Sequence, residues 1–197
     1  HLLSAARLEL LYCGSADSGR VEEALLNAFA ALPRGETEAL PDMQTYPAPE
    51  QPRVVTETMD VTQGKLSMGF RCQSDDVPAM ILANLIFGGS SNSKLFLNVR
   101  EKLSLCYYAS SSYARSKKLL TVSSGIETKD YQRAYDEILH QLSQVQQGNW
   151  EEWEFTGAKS TMLNALRSMD DSQGALENYY LGQAATGLSD SPQEMME

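Results

Sequence analysis

Between Leu66 and Cys72 the chain alternates with a period of two. Leu66, Met68, Phe70 and Cys72 fall on one side, and Lys65, Ser67, Gly69 and Arg71 on the other. Such a pattern predicts a strand with one buried and one polar face. A looser alternation at Leu8, Leu10 and Tyr12, stopped by Gly14, predicts an earlier strand, and RVVTETMDV (53–61) predicts another. LSLCYYASSSY and KLLTVSSGI predict a strand pair joined by the polar turn from Ala114 to Lys118.

The helical period appears elsewhere. Val21, Ala24, Leu25, Ala28, Phe29 and Leu32 share one side of a helix opened by Asp17 or Ser18 and ended before Pro33. VPAMILANLIF is apolar nearly all round, which predicts a central helix; Asp75 or Asp76 caps it, Pro78 fits its first turn, and Gly88 and Gly89 end it. SSNSKLFLNVREK reads as a shorter helix. A further helix from Thr128 carries Tyr131, Tyr135, Ile138, Leu142 and Val145 in one stripe. Asn149 and Glu152 form a candidate capping box for a helix bearing Trp153, Ala158, Met162 and Leu166, and a last helix covers about Ser172 to Ala185. Strands and helices are grouped rather than strictly alternating, which favours an α+β layer fold.

Composition narrows this picture. A chain of 197 residues makes one sizeable domain or at most two small ones. Five of its seven prolines lie between Pro33 and Pro52, a connector that proline keeps out of regular pairing. The formal charge of −10 argues against nucleic acid as a partner. No apolar run approaches the roughly 18 residues of a membrane span. Cys13, Cys72 and Cys106 are distant from one another and odd in number, which predicts free thiols and a reducing compartment, the cytoplasm. The opening HLLSAARLEL has neither initiator Met nor a signal-peptide layout and reads as the interior of a longer chain.

Most catalytic chemistry is poorly served. The only histidines are His1 and His140, and neither begins a zinc-peptidase motif, so no metal site is expected within the chain. FGGSSNSKLF lacks the spacing of a phosphate-cradling loop and reads as a tight turn between helices, with glycines chosen for positive φ. No Gly-x-Ser-x-Gly nucleophile elbow occurs. Arg100 and Tyr107 remain. One reading makes Arg100 a compensator of a helix dipole and Tyr107 a core residue with a polar tip. The other makes them a pair of donors aimed at a carbonyl oxygen that gains charge.

The stretch GGSSNSKLFLNVREKLSLCYY resembles the insulinase/pitrilysin-type zinc metallopeptidase family, which includes mitochondrial processing peptidase. Gly88 and Gly89 match the family's turn. Ser93, Lys94, Leu95 and Phe96 match its helix start, with Lys94 for the common arginine, and Val99 to Lys102 match Leu-Arg-Glu-Lys. Ser104, Leu105, Cys106 and Tyr107 match Gly-Leu-x-Tyr, with Ser104 for glycine. The order of the remaining elements extends the resemblance over nearly the whole chain, as a single C-terminal-type domain. It implies an antiparallel sheet with helices mainly on one face. It also implies that this is the metal-free half of a clamshell, with zinc in an N-terminal half lying in the same protein or a paralogous subunit. Arg100 and Tyr107 would then hold a peptide substrate and stabilise its tetrahedral intermediate in a zinc-dependent endopeptidase. The resemblance leaves two rivals open: an inactive member acting as a partner subunit, and a stand-alone peptide-binding module.

Overall fold

A computed structural model describes residues 2–36 and 47–196. The chain divides into two compact units: Gln44–Asn164, and His1–Met43 together with Ala165–Glu197.

The Gln44–Asn164 unit is an α+β layer. Strands β1 (Gly64–Arg71), β2 (Cys106–Ala114) and β3 (Leu119–Ile126) form an antiparallel sheet in the order β1-β3-β2. The register sets Leu66 opposite Ser124 and Ser124 opposite Ala109, then Met68 opposite Val122 and Val122 opposite Ser111. Those rows share one face, and Leu66, Ala109, Val122, Ser124 and Ile126 on it are buried. Lys65, Ser67, Ser110, Ser112, Thr121 and Ser123 are exposed on the other. The period of two in the sequence is thus the inside–outside alternation of a sheet covered on one face.

Helix α3 (Val77–Asn84) is capped by Asp76, whose Oδ1 accepts from the Ala79 N–H at 2.9 Å, and it continues into the π-helical segment Leu85–Gly89. A second π-helix spans Leu95–Lys102. The long helix α4 (Tyr131–Gln146) follows β3, with Ala134, Ile138 and Val145 buried. Phe87, Leu95, Val99, Val122 and Ile138 form the centre of the core. The predicted helix VPAMILANLIF is central toward its end: Ile86 and Phe87 are buried in the π-helical segment and Leu82, Ala83 and Leu85 pack against the core, while no residue of α3 itself is fully buried.

Helix α5 (Glu152–Ser168) starts differently from the expectation. The Asn149 and Glu152 capping box does not form. The Glu154 carboxylate reaches back to the Glu151 N–H at 2.8 Å, while Asn149 donates to Gln144 and Gln147. The inward stripe of α5 is Glu154, Ala158, Met162 and Leu166, and Trp153 is 51% exposed. Glu154 takes the inward place because it serves two partners there, the N-terminal amide and a buried lysine described below.

The other unit holds α1 (Leu2–Ala5), α2 (Ser18–Ala30) and α6 (Gln173–Thr186). Asp17 caps α2 and Ser172 caps α6, as their residue types favour. Gly187, at φ +70°, terminates α6 in the left-handed region. Arg34 donates to the carbonyls of Leu3 and Ala6, tying α1 to the chain beyond α2.

Two predicted strands are absent. Leu8 to Tyr12 has no regular structure, and Tyr12 turns its hydroxyl back to accept from the Ala16 N–H. Residues 53–61 are likewise irregular, with Val54, Val55, Met59 and Val61 exposed. Alternation makes a strand only where a neighbouring edge supplies the ladder and a face is covered. Residues 37–46 of the proline-rich connector lie outside the described residues; 33–36 and 47–52 contain neither helix nor strand. All three cysteines are free thiols.

Candidate functional site

The site is built where the two π-helical segments meet β2. Gly88 and Gly89 close the first segment, and neither has the positive φ that their sequence context predicts. Their requirement is space. A Cβ at Gly88 would stand 2.6 Å from Leu95 Cδ1 and 2.8 Å from the Ser111 nitrogen, and one at Gly89 would stand 2.6 Å from Asn84 Nδ2. Only glycine lets the turn pack this closely on β2.

The following π-helix presents Arg100 in its last turn, beside Lys102, where a cation offsets the helix dipole. The Arg100 guanidinium carbon lies 4.7 Å from the centre of the Phe96 ring. One of its terminal nitrogens is 3.5 Å from the exposed Glu101 carboxylate. Such an i, i+1 surface pair contributes little energy. The helix ends through Ser104, which sits at φ +51° and whose N–H reaches the Arg100 carbonyl. That left-handed conformation is what glycine adopts without cost, so the serine here departs from the family's glycine at a position where glycine has a physical reason.

Tyr107 follows three residues on, within an irregularity of the β2–β3 ladder. Cys106 pairs with Ile126 and Tyr108 with Gly125, so Tyr107 is an extra residue in a bulge. Bulges re-aim side chains. Tyr107 is 58% exposed, and its hydroxyl donates to Glu127 at 3.5 Å. Lys129, ion-paired with Glu127 at 2.6 Å, is the main cause holding that carboxyl below the usual glutamate range. Tyr108 plays a different part. A Cβ on Gly125 would stand 2.5 Å from its ring, so the ring lies over that glycine. Cys106, just before the bulge, is half-buried; burial pushes its thiol up, against weaker pulls from Ser124 and Arg100.

Arg100, Phe96, Gly88, Gly89 and Tyr108 line a cleft of about 340 Å³, and Tyr107 is not part of its lining. The structure therefore sets the two predicted donors on neighbouring elements, with Arg100 at the cleft and Tyr107 outside its wall.

One residue pair escaped the sequence reading. Lys94, at the helix start, donates to Glu154 at 3.0 Å, and both residues are 8% exposed. The pair joins the origin of the Arg100 helix to the first turn of α5. Its signal was present, a lysine at a helix start within an apolar run and a glutamate on the inward face of α5, but the two are 60 positions apart.

Among the described residues no group of His, Cys, Asp and Glu converges as metal ligands, and His140 is exposed on α4. Zinc does not fit the described residues. No helix among the described residues is long and apolar enough to cross a membrane.

Residues 1–162 match the family model described as the peptidase M16 inactive domain. The chain belongs to that family. This bears out the resemblance carried by the stretch from Gly88 to Tyr108. The chain is 36% identical over 185 residues to "Probable inactive metalloprotease YmfF" of Bacillus subtilis, covering 91% of this chain and 42% of that protein. A conserved protein from Enterococcus faecalis has the same architecture, at 30% identity and TM-score 0.75 over 89% of this chain and 43% of its own. A peptidase M16 inactive domain from Pseudomonas fluorescens shares the fold at 18% identity and TM-score 0.70, over 92% of this chain and 44% of its own. The M16 chain thus spans less than half the length of these relatives.

Proposed function

We propose that residues 1–197 form the metal-free, peptide-holding half of a two-half M16 protein. The observation that carries this reading is the outward pair: Arg100, stacked on Phe96 at the mouth of a cleft, and Tyr107, turned to solvent by the β2 bulge. Arginine offers fixed charged donors and tyrosine one neutral donor. The Tyr107 hydroxyl rests on Glu127, a long contact that a peptide carbonyl can displace. The two side chains are matched to a main-chain oxygen whose negative charge grows during attack, with the zinc and the hydrolytic base supplied by the opposing half.

In an active whole protein, Tyr107→Phe is expected to lower kcat by about 10- to 1000-fold, the range for one oxyanion donor, with zinc content and folding unchanged. An unchanged kcat would reduce Tyr107 to a structural residue. The second reading makes the whole protein an inactive peptide-holding partner subunit. It is favoured by the name of the 36%-identical relative, which is called inactive. The two separate on the opposing half. An intact His-x-x-Glu-His motif there together with metal-dependent peptide hydrolysis by the assembled protein supports the peptidase. Peptide binding without hydrolysis, and a broken motif, supports the partner.

A further inference from the structure

The Arg100 cleft runs against the electrostatics of the chain that holds it. The formal charge is −10, yet the cleft lining contains a single cation, Arg100, and no aspartate or glutamate. Phe96 covers one face of the guanidinium, and its one carboxylate neighbour, the exposed Glu101, is a weak surface partner at 3.5 Å that another carboxylate can replace. A planar fork held on an aromatic ring can donate to both oxygens of a carboxylate at once, as well as to a carbonyl. The volume, about 340 Å³, lies at the small end of ligand pockets and suits one side chain rather than a whole ligand.

The opposite wall fixes how that side chain is presented. Tyr108, Ala109 and Ser110 all line the cleft. Successive strand residues point to opposite faces, so a cleft touched by all three runs along the backbone edge of β2. That edge has no strand beside it among the described residues, because β2 is terminal in the order β1-β3-β2. It closes at Ser111, where Gly88 packs against the amide. The main-chain groups of Tyr108 and Ser110 face Gly125 and Ser123 of β3, so a short stretch of extended chain can exchange main-chain hydrogen bonds with Ala109 and direct one side chain at Arg100.

We propose that this cleft is a subsite for a carboxylate carried by an extended peptide laid along the β2 edge, either an Asp or Glu side chain or the C-terminal carboxylate. The proposal rests on the peptide-holding reading above and adds the chemical class of residue that the site selects.

The test uses this chain and three fluorescently labelled, unstructured peptides of otherwise identical sequence, titrated by anisotropy at low salt. One carries a single glutamate and an amidated C-terminus, the second glutamine and an amidated C-terminus, the third glutamine and a free C-terminal carboxylate. The glutamate peptide, the free-carboxylate peptide, or both are expected to bind about fivefold more tightly than the neutral one, the scale of a half-exposed ion pair. Which of them gains identifies the source of the carboxylate. The gain should vanish in Arg100→Gln and shrink as salt rises. Ser110→Glu, an exposed substitution in the same lining, should turn the preference toward a lysine-bearing peptide, and unfolding midpoints confirm that both variants fold. Equal binding of all three peptides overturns the carboxylate subsite and leaves the peptide-holding reading standing, as does a gain that persists in Arg100→Gln. Absence of saturable binding by any peptide overturns the peptide-holding reading itself.

Discussion

Two clefts of nearly equal volume, about 340 and 330 Å³, occur in the two units, and they are built differently. The first sets Arg100 and serine hydroxyls beside a strand edge unpaired among the described residues, with Gly88 in its lining and the buried Lys94–Glu154 pair at the start of the helix that carries Arg100. The second lies along α2 and is lined chiefly by Leu10, Tyr12, Val21, Leu25, Leu26 and Phe29. No residue of α2 is buried, and Leu26 is 65% exposed. Size does not separate a site from a groove. Convergent polar groups on rigidly held elements do.

The contrast fails first if the first cleft loses what holds it. Glu154→Ala leaves Lys94 charged and buried without its partner, and is expected to destabilise the protein by about 3–5 kcal/mol in urea unfolding. A loss below about 1 kcal/mol would mean that the pair does not anchor the Arg100 helix. Next in size is Gly88→Val, which drives a side chain into Leu95 and Ser111. It should cost about 1–3 kcal/mol and abolish peptide binding; a variant that binds normally would detach the cleft from the function proposed for it. The matching change on α2, Leu26→Ser, should alter stability by less than about 0.5 kcal/mol and leave peptide affinity untouched. A drop in affinity there would move the binding surface to the apolar groove.

The smallest effect concerns the charges beside Tyr107. Lys129 holds the Glu127 carboxyl below its usual range in the folded chain. Its contribution to stability is therefore present above the unfolded glutamate value of about 4.3 and is lost as pH falls through the lower, folded value. An NMR titration should place the Glu127 midpoint below that of an ordinary glutamate, and Lys129→Gln should raise it. A midpoint that ignores the substitution would assign the shift to another cause.

The sequence showed the fold most clearly where one periodicity had a partner. The alternation from Leu66 to Cys72 became an inward face, buried at Leu66 and partly buried at Met68, Phe70 and Cys72, and the stripe of α4 packs on the core from Tyr135 to Val145 while Tyr131 stays exposed. RVVTETMDV alternates almost as well, yet no edge receives it, and a local pattern carries no information about a missing neighbour. Trp153 and Glu154 exchanged places for a similar reason. Hydrophobicity alone favours the tryptophan inside, while the ion pair to Lys94 depends on a residue far away in sequence. Arg100 and the glycine turn were readable because a linear motif carries them. The bulge that turns Tyr107 outward was not, since it is a property of the ladder with β3. Ser104 lies between these cases: its departure from the family's glycine was visible, and its positive φ supplies the cost of that departure.

The peptide-holding role of Arg100 and Tyr107 is decided by titrating one labelled, unstructured peptide into this chain and into its Arg100→Gln, Tyr107→Phe double variant. Saturable binding to the unaltered chain is expected, weakened by about tenfold in a double variant whose unfolding midpoint is unchanged, since two donors of modest worth are removed together. Equal affinity of the two proteins, or no saturable binding to either, would show that these side chains do not hold a peptide.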